Sequence, residues 1–198
     1  MTTKDHDNHR DKLIIVWMQS SIDGFTAGPN GEFDWPQIGD EIHTHFVTTL
    51  RDAGLFVYGR TVFEMMAGYW PIADTLPDST PNTVAYSQIW KPMPKVVVSR
   101  TLTGAEWNAT VVADPARVRE LADAADGDSY VFGGSRTVSA LAEADLVDEY
   151  QIFVHPVVLG GGTPFFPPLT ARQPMTLLES RTFDGRVAGL RYGRARER

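Results

Sequence analysis

Residues 131–137 read Val131-Phe132-Gly133-Gly134-Ser135-Arg136-Thr137, with two glycines between the end of an apolar run and a helix-like run, Val138-Ser139-Ala140-Leu141-Ala142-Glu143. Such a corner either turns the chain or seats a phosphate. Glycine adopts positive φ freely and leaves no Cβ in the path of an anion, and the first amides of a helix have no intrahelical partner. The seven residues alone permit both readings, so the flanking sequence must decide.

Outward from that corner, short apolar runs alternate with amphipathic ones. Lys12 to Met18, Leu55 to Tyr58, Lys95 to Ser99 and Tyr130 to Phe132 are β-branched or aromatic runs bounded by turn residues, the pattern of strands buried on both faces, and Trp107 to Val112 is a further candidate. Helices are expected from an N-cap at Asp40 toward Gly54, from Thr61 to a stop at Gly68, and from Pro115 to Gly127. The segment from Gly68 to Pro81 reads as irregular and proline-rich. Glu149 to Leu159, Met175 to Phe183 and Arg186 to Tyr192 read as closing strands, the last two joined by the hairpin signal Phe183-Asp184-Gly185-Arg186. Strands alternating with helices and followed by a run of strands imply an α/β fold, its sheet mostly parallel with an antiparallel edge hairpin and flanking helices.

The chain of 198 residues is 42% hydrophobic and 22% charged, which suits one domain over residues 12–198 after a polar, disordered tail at 1–11. Its formal net charge of -7 argues against nucleic-acid binding, which needs a basic surface. Cysteine is absent, which removes disulfides, thiol catalysis and cysteine-held zinc. His6 and His9 lie in the tail, where nothing would fix metal-ligand geometry, so no metal is expected. The start is too polar for a secretory signal and the first apolar run too short for a membrane span, which indicates a cytoplasmic protein.

Three strand ends carry groups suited to a phosphorylated dinucleotide. Gly59-Arg60-Thr61 offers amides, a guanidinium and a hydroxyl for a pyrophosphate; Ser99-Arg100-Thr101 offers a comparable set for a ribose 2′-phosphate; Gly133-Gly134-Ser135 is the third. A turn needs glycine but has no need of Arg and Thr beside it, so the recurrence favours a ligand. The Gly-x-Gly-x-x-Gly fingerprint of ordinary dinucleotide folds is missing after the first strand, as is the Gly-Lys-Ser/Thr of a P-loop.

The ordered segments SIDGFTAGPNG, VYGRTVFE, KVVVSRTL, VFGGSRTVSALAEADLVDEY and HPVVLGGGTPFF resemble the dihydrofolate reductase-like family. The resemblance is especially to the branch similar to the reductase domain of bifunctional riboflavin-synthesis enzymes, and it covers most of residues 12 to 193. It implies an eight-stranded dihydrofolate reductase-like sheet, NADPH as cofactor and a homodimer. It also implies that Gly59, Arg60 and Thr61 meet the cofactor phosphates, that Ser99 and Arg100 lie beside the 2′-phosphate, and that Gly133, Gly134, Ser135, Arg136 and Thr137 lie under the pyrophosphate. The loop SIDGFTAGPNGEFDWP resembles the family's mobile loop over the nicotinamide, with Asp23-Gly24 as its most recognisable element. Trp35 and Asp40 keep the family's tryptophan-to-acid spacing, so Asp40, with Asp23, is a candidate catalytic carboxylate; Asp40 equally suits a helix N-cap.

The implied reaction is hydride transfer from NADPH to a C=N or C=O of a small heterocycle, as in the riboflavin-pathway reductase acting on 5-amino-6-(5-phosphoribosylamino)uracil. The alternatives are a dihydrofolate or pterin reductase and a non-catalytic dimeric NADPH-binding protein. Folate binders place an arginine where this chain has Met93-Pro94-Lys95, which argues against folate. Phe63, Tyr69 and Trp70 suit either a stacking wall or the core, His155 reads as a structural histidine, and Gly160-Gly161-Gly162 reads first as a structural loop.

Overall fold

The computed structural model describes residues 12–195, so the expected tail with His6 and His9 lies outside the described residues. The chain runs β1 (Ile14–Ser21), β2 (Phe25–Ala27), α1 (Asp40–Leu50), β3 (Leu55–Gly59), α2 (Arg60–Ala73), α3 (Pro81–Trp90), β4 (Lys95–Val98) and β5 (Ala109–Val112). It continues through α4 (Arg117–Ala124), β6 (Ser129–Val131), α5 (Ser135–Glu143), β7 (Glu149–His155), β8 (Thr163–Pro164), β9 (Met175–Phe183) and β10 (Val187–Arg194). Eight strands form one sheet in the order β5-β4-β3-β6-β1-β7-β10-β9, while β2 and β8 pair antiparallel as a separate two-stranded ribbon.

From β5 to β7 every pairing is parallel, and β10 and β9 add the antiparallel edge. The unbroken apolar runs of β1 and β3 follow from burial on both faces: Ile14 to Met18 and Leu55 to Tyr58 are all buried. One face packs on α4 and α5 through Val118, Ala122, Val138 and Leu141. The other packs on α1, α2 and α3 through Ile42, Leu50, Phe63, Tyr86 and Trp90.

Several elements depart from expectation. The N-cap of α1 is Gly39, with no side-chain cap of its own, and Asp40 is the first helical residue. The cap comes from across the fold: the Asp184 carboxylate accepts from the amides of Glu41 and Ile42, and the Glu41 carboxylate accepts from the Asp184 amide. Helix α2 passes Gly68 and Pro71 to Ala73, because packing outweighs their low helix propensity. The Trp70 ring lies 4.3 Å from that of Tyr86, and Ser87 Oγ donates to the Trp70 carbonyl. Helix α3 was not anticipated, although Thr80 caps it by accepting from the Thr83 amide and Pro81 opens it. Strand β7 ends at His155 rather than Leu159, where Pro156 cannot donate to a ladder.

Candidate functional site

Strands β4, β3 and β6 are neighbours, so the three glycine-, arginine- and hydroxyl-bearing corners lie side by side at their carboxyl ends. The Gly59 amide donates to the Gly133 carbonyl at 2.6 Å, tying the first corner to the third. A Cβ at Gly59 would lie 2.4 Å from Thr137 Oγ1, which is why glycine is required there. Gly133 has φ +92° and a cis peptide bond to Gly134. Arg60 Nε donates to Glu64 Oε1 at 2.8 Å and its Nη1 to Thr101 Oγ1 at 3.2 Å, joining the first corner to the second.

Helices α2 and α5 begin at these corners behind glycine N-caps, Gly59 and Gly134, neither with a side-chain cap. Their first amides, including those of Thr61, Ser135 and Arg136, have no partner among the described residues, so two positive helix ends face the same edge of the sheet. Arg100 and Arg136 are exposed and make no bond to the described residues. Ser99 Oγ accepts from the amides of Thr101 and Leu102 and shapes its own corner. Ser135 and Thr137 are buried, and Ser135 Oγ lies 3.2 Å from Thr26 Oγ1 of β2. The donor set therefore fits a dianionic, phosphate-bearing ligand.

Beside these corners the sheet opens. Strand β1 pairs with β6 only over Ile14 to Val16, whereas its pairing with β7 continues to Ser21. From Trp17 onward β1 therefore pairs with no strand on its β6 side, although the Met18 side chain still lies against Gly133. The chain order also reverses here, β6 lying on one side of β1 and β7 on the other, which is where open α/β sheets bind ligands.

The loop after β1 reaches across this end. Both Asp23 oxygens accept backbone amides, from Leu159 at 3.1 Å and Gly160 at 2.8 Å. The Ser21 hydroxyl foremost, with those amides, lowers the Asp23 pKa, which keeps it ionised. The β2–β8 ribbon adds a second tie, and Gly162 a third: a Cβ there would lie 2.0 Å from the Ala27 carbonyl oxygen. The loops at 22–39 and 156–165 thus form one unit, in which the Gly160 to Gly162 cluster is structural and the Gly160 amide is taken by Asp23. Sequence reasoning missed this pairing, because β2 and β8 are too short to show a period.

His155, at the end of β7, is buried and paired through both nitrogens: Nδ1 accepts from the Gln37 amide at 3.2 Å, and Nε2 lies 2.6 Å from Gln19 Oε1. Burial holds it neutral, with a pKa lowered to about 4. Its structural reading stands, with the added finding that it grips the loop carrying Trp35, whose ring meets it edge-on at 5.6 Å. Asp40 is exposed in the first turn of α1. Phe63 and Trp70 belong to the core and Tyr69 is exposed, so these three do not form a stacking wall.

Lys95 is buried, and its Nζ donates to the carbonyls of Trp90, Met93 and Trp107. It pins the β4 approach rather than facing a ligand. A polar concavity at the opposite ends of the strands, lined by Glu149, Gln151, Glu179 and Arg191, is bridged by Arg191 ion pairs to both glutamates. Among the described residues no cluster of metal-ligating side chains occurs, and no helix is long and apolar enough to cross a membrane.

An eight-stranded, mostly parallel sheet with an antiparallel edge and flanking helices is a dihydrofolate reductase-like fold. More narrowly, residues 12–188 match the model of the RibD C-terminal domain, and the chain belongs to that family. Two relatives from Bacillus subtilis strain 168 are the uncharacterized proteins YyaP, 29% identical with 94% of this chain and 97% of that protein aligned, and YwjB, 25% identical over 93% and 99%. A putative riboflavin biosynthesis protein from Shewanella sp. PV-4 superposes with a TM-score of 0.71 at 23% identity, covering 93% of this chain and 99% of that one. The deaminase/5-amino-6-(5-phosphoribosylamino)uracil reductase of Thermotoga maritima gives 0.64 at 15% identity, covering 93% of this chain and 57% of that one. Dihydrofolate reductase from Enterococcus faecalis, complexed with NADP(H), gives 0.60 at 17% identity over 93% and 97%.

Proposed function

We propose that this protein is an NADPH-dependent reductase that transfers a hydride to a C=N or C=O of a small pyrimidine- or pteridine-like substrate. The observation that carries the reading is the convergence of two uncapped helix N-termini and three exposed guanidiniums, Arg60, Arg100 and Arg136, beside the opening between β1 and β6. In this reading Gly59, Thr61, Gly133, Gly134, Ser135 and Thr137 seat the pyrophosphate, and Ser99, Arg100 and Arg60 hold the 2′-phosphate. The bound cofactor supplies the hydride; the protein aligns it and excludes water. Similarity to a riboflavin-pathway reductase supports a ribosylaminopyrimidine substrate. The occupation of Lys95 by three carbonyls agrees with the sequence argument against folate.

Asp40 and Asp23 take different parts. Asp40 is the proposed proton donor, and Asp23 acts on the reaction by holding the loop. A cytoplasmic homodimer completes the reading; the exposed edge strand β9, with Leu177 and Leu178 uncovered, offers a surface for a second copy. The exposure of Asp40 favours one other reading, a binding protein that keeps the cofactor seat without turnover.

Thermal melts with NADPH, NADH and no ligand test the seat, because a ligand of the folded state raises the midpoint. Rapid mixing of the NADPH complex with ribosylaminopyrimidines and pterins, followed by reduced-nicotinamide absorbance, tests turnover. Stabilisation by NADPH with no absorbance loss would select the binding protein, and no stabilisation would overturn both readings.

A further inference from the structure

The Gln37 amide can only donate, so His155 Nδ1, 3.2 Å away, must accept. Because burial keeps the ring neutral, its single proton lies on Nε2, and the partner 2.6 Å away must be an acceptor. The Gln19 carboxamide is thereby denied its flipped orientation: the oxygen is turned to His155 and the amino group away from it. His155 stands on β7, the one neighbour of β1 at this level. The two ends of a carboxamide diverge from one carbon, so Gln19 Nε2 is turned away from His155, on a stretch of β1 that β6 no longer pairs. Gln19 is half-exposed, and its Nε2 has no acceptor among the described residues.

We infer that Gln19 is a specificity-determining hydrogen-bond donor of the active site, recognising a carbonyl oxygen of the bound ligand, and that His155 is the positioning residue that fixes its amide. The assignment rests on the cofactor reading above and adds a group that reading does not use. The ligand chemistry is an amide or lactam carbonyl, which belongs to the carboxamide of the nicotinamide or to the ring of the heterocycle. A flipped or freely rotating Gln19 would present its oxygen there half the time and repel that carbonyl. The Gln37-His155-Gln19 relay also makes the donor conditional on the loop, because the Gln37 amide that sets the His155 tautomer lies in the segment that carries Trp35.

The test compares wild type with Gln19→Glu and Gln19→Met in calorimetric titrations of three probes. These are NADPH, adenosine 2′,5′-bisphosphate, which lacks nicotinamide, and lumazine, a planar pteridinedione, added to the NADP⁺-loaded protein. Gln19→Glu keeps the size of the side chain and an oxygen for His155, so it removes the outward donor without emptying the site. Both variants are expected to weaken NADPH or lumazine about tenfold while leaving the bisphosphate unchanged; the probe affected identifies which carbonyl is bound. Equal binding of all three probes by wild type and variants overturns the assignment, as does an equal loss for all three, which would mark a structural role. A wild type that binds neither NADPH nor the bisphosphate sinks the cofactor reading itself and the assignment with it. Nitrogen-15 spectra of the unliganded protein provide a readout independent of the cofactor: the Nε2-protonated tautomer of His155 is expected, and the Nδ1-protonated tautomer would reverse the relay and overturn the inference.

Discussion

Arg60 Nη1 donates to Thr101 Oγ1 across 3.2 Å, so one guanidinium spans the corners that end β3 and β4. With Arg100 exposed on the second corner, the cationic groups cluster where the 2′-phosphate is proposed to lie. Replacing Arg60 or Arg100 with alanine should raise the NADPH dissociation constant about tenfold or more, the range of charge-assisted hydrogen bonds, and leave that of NADH within about twofold. Titration with both cofactors reads the difference. Equal weakening would assign the arginines to the shared pyrophosphate.

Gly162 has φ +125° and no room for a Cβ against the Ala27 carbonyl oxygen. Gly162→Ala should therefore force the two loops apart, destabilising the protein by about 2 kcal/mol or more and exposing residues 22–39 to protease. Gly160→Ala, with open space around its Cβ but φ +75°, should do less harm. Melts and limited proteolysis rank the two.

Buried, neutral His155 predicts a fall in stability on acidification. Its folded pKa is lowered to about 4 from 6.5, so between those values the unfolded chain binds more protons than the folded one. The His155 contribution is complete above pH 6.5 and declines as the pH falls below it, and about 2 kcal/mol of it is lost by pH 5. Burial lowers the pKa of His43 and His45 as well, so the diagnostic quantity is a difference. The stability of His155→Leu, less stable at pH 7, should change less between pH 7 and pH 5 than that of wild type.

Lys95 separates a structural bolt from a ligand group. Lys95→Met leaves three carbonyls without their donor and should cost about 3 kcal/mol of stability, with NADPH affinity unaltered once the protein is folded. Unchanged stability with weakened substrate binding would instead return Lys95 to the site.

The parallel strands were legible in the sequence because burial on both faces writes an uninterrupted apolar run, as at Ile14 to Met18 and Leu55 to Tyr58. The three corners were legible because Gly, Arg and Ser or Thr recur after such runs. Helix α3 was not, since Val84, Tyr86, Ile89 and Trp90 are distributed around it without a clear stripe, and its caps lie in a proline-rich tract.

The sequence by itself determined the alternation of strands and helices, the turn-prone corners and the absence of thiol chemistry, all of which depend on residue type and short spacing. Only the tertiary structure decided that the three corners are adjacent, that Asp184 caps α1 from across the fold, that Asp23 spends its oxygens on a distant loop, and that Gln19 is oriented by His155. Each of those partners is separated in the chain by scores of residues. Hydrogen bonds of that kind depend on angles and distances that exist only once the sheet has brought its strands together, and no local pattern encodes them.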